Sequence, residues 1–205
     1  MKRITMVFTI LLAIPLLGQS VDRGREDMKE ATRTATEALA TLQGLAEKNP
    51  AVIGLRADEA KTAQLGTPLR VYWVGLEALK NYSAGTDPQT LLQDMKTVFY
   101  PVTVGTSVRS SITVKERNSK LVATDFGQSE LAKRVTNARG AGDGILVRVP
   151  ALNSYFVGTM SGGALVLTPI ADVPGTELRA NVAAPADAVF TVLAGRARAS
   201  NGLPT

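Results

Sequence analysis

Two segments of the chain hold residue types from which reactive sites are built. Gly158-Thr-Met-Ser-Gly162 has the outline of a nucleophile elbow, the sharp turn that lifts a serine hydroxyl clear of a sheet. Its serine falls one place too late for Gly-x-Ser-x-Gly, and the segment reads as a hairpin turn. Arg139-Gly-Ala-Gly-Asp-Gly144 has the glycine density of a phosphate cradle. A cradle needs the order strand, loop, helix, because the helix N-terminus supplies the N–H groups that hold the phosphate. Here the order reads helix, loop, strand, so these glycines end one element and turn the chain into the next.

His and Cys are both absent from the 205 residues. That excludes Ser-His-Asp and Cys-His nucleophiles, the common zinc sites and any disulfide. Ser111 and Lys115 are the nearest local Ser-Lys pair, but both fall on the polar face of a strand. The Ser-x-x-Lys spacing of penicillin-recognising enzymes does not occur. No Asp-x-Asp run or calcium loop is present, and Asp125-Phe-Gly-Gln-Ser-Glu130 lacks the carboxylates such a loop requires. The triplet Asn81-Tyr82-Ser83 has the form of a glycosylation acceptor, which arises readily by chance. The expectation is a chain with no catalytic residue, no metal and no cofactor. Carboxylate pairs assembled in space are the chemistry left open.

Binding surfaces remain. Val108, Ser110, Ile112, Val114 and Glu116 alternate with Arg109, Ser111, Thr113, Lys115 and Arg117, the pattern of a strand with one dry face and one basic face. Arg109, Lys115 and Arg117 are therefore the candidate binding residues, with Lys120 just past the turn. The plain alternative is that these charges keep a solvated face soluble. Trp73, the only tryptophan, is expected to pack in the core. The formal charge of +5 is mild and aromatics make up 5% of the chain, so nucleic acid is not an expected partner.

Hydrophobic periodicity supplies the elements that position these residues. Residues 22–48 read as one helix, with Met28, Ala31, Ala35, Ala38, Leu42 and Leu45 on a single face and Lys48-Asn49-Pro50 as its stop. An alanine stripe of this length suits a helix lying across a sheet better than a coiled-coil seam. A short helix follows at 58–64, ended by Gly66, and a central strand at 68–76. A loop spans 82–85. Asp87 and Pro88 open another helix, which buries Leu91, Leu92, Met95 and Val98 or Phe99 and permits one parallel crossover. Strands are expected at 100–104, 108–117 and 120–126, and a helix at 128–138. Further strands follow at 144–149, 153–159 and 163–169, and a last helix at 186–198 is entered through Pro185. The fold class is α+β, a mostly antiparallel, curved β-sheet with helices packed on one face. Residues 21–199 are read as one domain and 200–205 as a flexible tail; a two-lobed split near 127–142 is the alternative.

The N-terminus fixes the expected location. Lys2 and Arg3 precede an apolar run from Ile4 to Leu17, and Gly18-Gln19-Ser20 gives a small-residue exit, so residues 1–20 read as a secretory signal peptide. The run is too short for a mature anchor, and the most apolar later stretch, Gly163 to Ile170, is only strand-sized. Without cysteine the leader is not that of a lipoprotein. The expected protein is a periplasmic or secreted, non-catalytic binding domain that meets an unidentified protein or an anionic envelope component. Two alternatives are a carrier of a small apolar ligand, which needs a closed cavity, and a carboxylate hydrolase, which needs two acids facing across a cleft. The mature chain isolated from its host begins close to Val21. Intact-mass measurement checks this, and a dominant cytoplasmic species retaining Met1 overturns it.

Overall fold

Small side chains at spacings of three and four decide how the first element docks. In the structure, a computed structural model that describes residues 18–140 and 142–199, helix α1 (Gly18–Lys48) is the long helix expected. The apolar run of the expected leader and the expected tail over 200–205 lie outside the described residues. Ala31, Ala35, Ala38, Leu42 and Ala46 are all buried along one side of α1. Methyl groups let the helix come close to its support: Thr32 Oγ1 lies 3.1 Å from the Tyr100 hydroxyl of the sheet.

The chain breaks at Asn49 and resumes as α2 (Pro50–Ile53), closed by Gly54 in the left-handed conformation. A Cβ at Gly54 would stand 2.5 Å from the Arg109 carbonyl oxygen, so the position tolerates only glycine. Helix α3 (Ala57–Ala60) is a single turn, shorter than the helix expected over 58–64. Gln64 and Leu65 leave it to pair with Thr103 and Val102 as β1 (Gln64–Leu65). Strand β2 (Leu69–Val74) is central, as expected, and leads into α4 (Leu76–Lys80), which the sequence pattern did not reveal.

The segment after α4 departs most from expectation. Asp87 does cap, accepting the Gln89 N–H at 3.0 Å, and Pro88 does take the first position, but the helix is one 3-10 turn over Pro88–Leu91. From there β3 (Leu92–Val104) runs for 13 residues. Thr97, Val98, Phe99 and Tyr100 favour extended backbone, and Pro101 cannot continue a helix. A bulge produced the false helical spacing. Lys96 is left-handed, its N–H bonded to Asp94 Oδ1 at 2.8 Å. The pairing moves from Arg70↔Val98 to Tyr72↔Asp94, two residues of β2 against four of β3.

The remaining elements follow the pattern closely. Strands β4 (Ser107–Arg117) and β5 (Lys120–Phe126) are joined by Asn118 and Ser119, both at positive φ, as a two-residue hairpin turn requires. Helix α5 (Ser129–Arg139) precedes β6 (Ile145–Val149), β7 (Ser154–Ser161) and β8 (Ala164–Pro169). A two-residue strand, β9 (Ala184–Pro185), leads into α6 (Ala186–Ala199).

Among the described residues, nine strands form one open, curved and mostly antiparallel sheet in the order β5-β4-β3-β2-β6-β7-β8-β9, with β1 beside β3. Its parallel pair is β2 with β6. The crossover therefore runs through β3, β4, β5 and α5 rather than through a helix between 76 and 100. On one face, α1 to α3 cover Val98, Tyr100, Val102, Ile112 and Val114. On the same face, α4 and α6 cover Val147, Val149, Phe156 and Leu167. Helix α5 packs on the opposite face, with Ala132 and Val135 against Leu69, Phe99, Leu146 and Val157. Tyr82 ties α6 down by donating to Asp187 Oδ1 at 2.7 Å. Burial and that bond push its hydroxyl up to about 12.

Leu42→Asp lowers stability by about 3 kcal/mol or more, because it buries an unpaired carboxylate under α1. Thr41→Asp, on the exposed side of the same turn, changes it by no more than about 0.5 kcal/mol. Urea midpoints of the two variants decide the matter, and equal midpoints overturn the docking of α1.

Candidate functional site

The three basic residues singled out from the sequence do not share one surface. The β3–β4 register passes from Val102↔Ser110 to Thr103↔Val108, which leaves Arg109 as an extra residue in a bulge. Its side chain turns to α3, where Nη2 donates to Glu59 Oε1 at 2.7 Å. The Arg56 backbone N–H, 3.0 Å from Oε2, does most to hold the Glu59 carboxyl below the usual carboxylate range. Desolvation opposes that shift and the Arg109 guanidinium adds to it. Lys115 and Arg117 are exposed and keep the register of the α5 face, with Lys120 paired beside Arg117. The structure thus brings Lys115, Arg117 and Lys120 together and assigns Arg109 to an ion pair.

Two depressions lie over the β2–β6 pairing, one on each face. On the face of α1 and α6, a trough of about 900 Å³ is open to solvent on one side. Tyr72, Leu92, Ile145 and Leu165 contribute apolar surface, and Met160 stands at its rim, 58% exposed. Arg139 and Asp143 mark a polar end. A Cβ at Gly158 would come within 2.9 Å of the Ile145 side chain and 3.3 Å of Leu165, so glycine here keeps the floor low. Both segments first noticed for their chemistry therefore meet at this trough, as walls. Gly142 to Gly144 come after the C-terminus of α5, as their order in the sequence requires, and Ser161 closes β7 at the hairpin turn.

On the opposite face, Trp73 is 36% exposed rather than buried in the core. It belongs to a row across three strands, since Trp73 pairs with Arg148 and Arg148 with Tyr155. The Arg148 guanidinium carbon lies 5.7 Å from the Trp73 ring centroid and 5.2 Å from that of Tyr155. A hollow of about 250 Å³ adjoins this row and reaches Lys115. Sequence reasoning passed over Arg148, yet its signal was present: it is the single charge in Ile145-Leu-Val-Arg-Val149, a strand at the centre of the sheet.

Carboxylates are dispersed or committed. Among the described residues, Asp143 is the one acid lining the trough, and Asp125 the one lining the hollow, where its Oδ2 accepts from Thr124 Oγ1 at 2.8 Å. A third depression holds Glu130 and Asp172. Arg134 Nε donates to Glu130 at 2.9 Å and lowers its pKa, while Asp172 accepts the Ala180 N–H at 2.8 Å. Among the described residues no three acids cluster to hold a metal, and no helix is long and apolar enough to cross a membrane.

The ion pair yields a sharp contrast in stability. Arg109→Glu sets a second carboxylate against Glu59 and lowers the urea midpoint, whereas the double variant Lys115→Glu, Arg117→Glu leaves it unchanged. A depressed folded pKa stabilises fully above the ordinary carboxylate value and is lost as pH falls through the lowered one. Glu59→Gln accordingly flattens the acid limb of the wild-type stability profile; an unchanged limb overturns the assignment. This chain matches no family model, no curated protein and no solved structure, so its function has to be read from its own geometry.

Proposed function

We propose that the protein is an exported, non-catalytic binding domain of the cell envelope or its surroundings, and that the trough over β2 and β6 receives an apolar segment of a partner protein. The observation that carries this reading is the trough itself: apolar strand side chains in its wall, an exposed methionine at its rim and solvent along one side. Methionine adapts its shape to varied apolar partners, and exposed apolar surface bounded by polar groups marks interaction sites. An opening of this kind lets a segment enter and continue beyond it. Export is supported by Lys2 and Arg3, the apolar run that follows and the Gly18/Ser20 exit. The basic strand residues Lys115 and Arg117 add an attraction for acidic partners on the other face.

The volume also falls within the range of about 300–1,000 Å³ usual for small-molecule sites, which favours a small apolar ligand as the second reading. A hydrolase would need two free acids across the trough, and its lining includes Asp143 alone. A photo-crosslinking residue placed at Ser161 in the native host, with Glu77 as a control position, separates the readings. The expected result is a defined set of partner proteins crosslinked from 161 and not from 77. Met160→Glu reduces that yield several-fold with an unaltered urea midpoint. A small apolar molecule retained in native mass spectrometry, with no protein crosslink, supports the carrier instead. The absence of both results overturns both readings.

A further inference from the structure

We infer that the hollow beside Arg148 is a second binding site, on the opposite face from the trough, and that it takes a small ligand bearing an oxyanion, a carboxylate or a phosphate. Cross-strand pairing sets Trp73, Arg148 and Tyr155 side by side, and the guanidinium lies within cation–π distance of both rings. The two contacts engage the guanidinium through the rings, and among the described residues its N–H donors have no hydrogen-bond partner. Arg148 Nε is buried without a hydrogen-bond partner, and no ion pair with Arg148 forms among the described residues. A buried donor of this kind calls for an acceptor. A guanidinium fork held in place matches a carboxylate or phosphate with little further ordering.

The rest of the hollow has the same character. Lys115, exposed and outside every ion pair among the described residues, brings a second positive charge to its wall. Thr97, Thr113 and Thr124 add hydroxyls. Asp125 opposes an anion there, and Thr124 already engages one of its oxygens at 2.8 Å. Two cations against one acid leave the hollow net positive. Its volume of about 250 Å³ limits the bound group to a small headgroup or free anion.

Trp73 is the only tryptophan of the chain and touches the site, so its emission is a direct reporter. Wild-type protein is titrated with sodium phosphate and, separately, sodium acetate, at an ionic strength held constant with sodium chloride. A saturable change in Trp73 emission is expected with at least one anion, and the tighter of the two identifies the oxyanion. Arg148→Lys keeps the charge but loses the fork, and weakens binding about tenfold or more. Lys115→Gln, a surface change that leaves the fold intact, weakens it several-fold. Two results overturn the site: no saturable response to either anion, or affinities unchanged in both variants. Substitution of Met160 at the trough leaves this titration unaltered, so the two surfaces stand or fall separately.

Discussion

Four residue pairs, Arg70 to Trp73 against Ile145 to Arg148, join the two antiparallel blocks of the sheet. Every other pairing in the sheet is antiparallel and links strands within β1–β5 or within β6–β9. A parallel pair is slightly less stable per residue than an antiparallel one, and it cannot be closed by a tight turn. The chain meets both difficulties with α5, which lies between β5 and β6 in sequence and across both halves in space. Ala132 and Val135 press on Leu69 and Phe99 from the first half and on Leu146 and Val157 from the second. That small apolar cluster holds the seam from one side, and α4 packed against α6, with Tyr82 bonded to Asp187, holds it from the other.

The seam also explains where the open surfaces lie. Helices α1 and α6 each cover the strands of their own half, so the floor between them is left to Tyr72 and Ile145. On the far side α5 covers the first part of the seam, and past it lie the partly exposed Trp73 and the half-buried Arg148. Neither surface needs a dedicated domain. Both lie where one sheet is built out of two antiparallel blocks, with α1 over the first and α6 over the second.

Much of this architecture was legible wherever the signal is local. The alanine stripe gave α1, Asn118-Ser119 gave the β4–β5 turn, and Pro185 marked the entry to α6. Asp87 and Pro88 mark a helix start, but the helix lasts only one turn. That outcome is set by β2 and β4, which offer hydrogen bonds to both sides of β3. Bulges were the second blind spot. Lys96 shifts the apparent period of β3 toward that of a helix, and the extra residue at Arg109 moves one side chain to the wrong face of β4. Glu59, the partner that holds Arg109 there, is distant in sequence. Arg148 was different: a lone cation in the middle of a central strand is visible without any structure, and asking what could neutralise it leads to the rings on either side.

The brevity of β9 has a consequence for the protein's neighbours in a crowded compartment. An open sheet exposes unpaired backbone at its last strand, and such a border templates further strands from other chains. Here the border beside β8 is occupied by Ala184 and Pro185, matched to Leu167 and Val166, and Pro185 has no N–H to offer. The backbone turns at once into α6, so an incoming strand finds two residues and then a helix. At the other border, β5 carries Lys120 and a register shift opposite Thr113/Val114, which interrupts the even ladder that strand addition requires. Both borders of the sheet are thereby poor templates for an added strand.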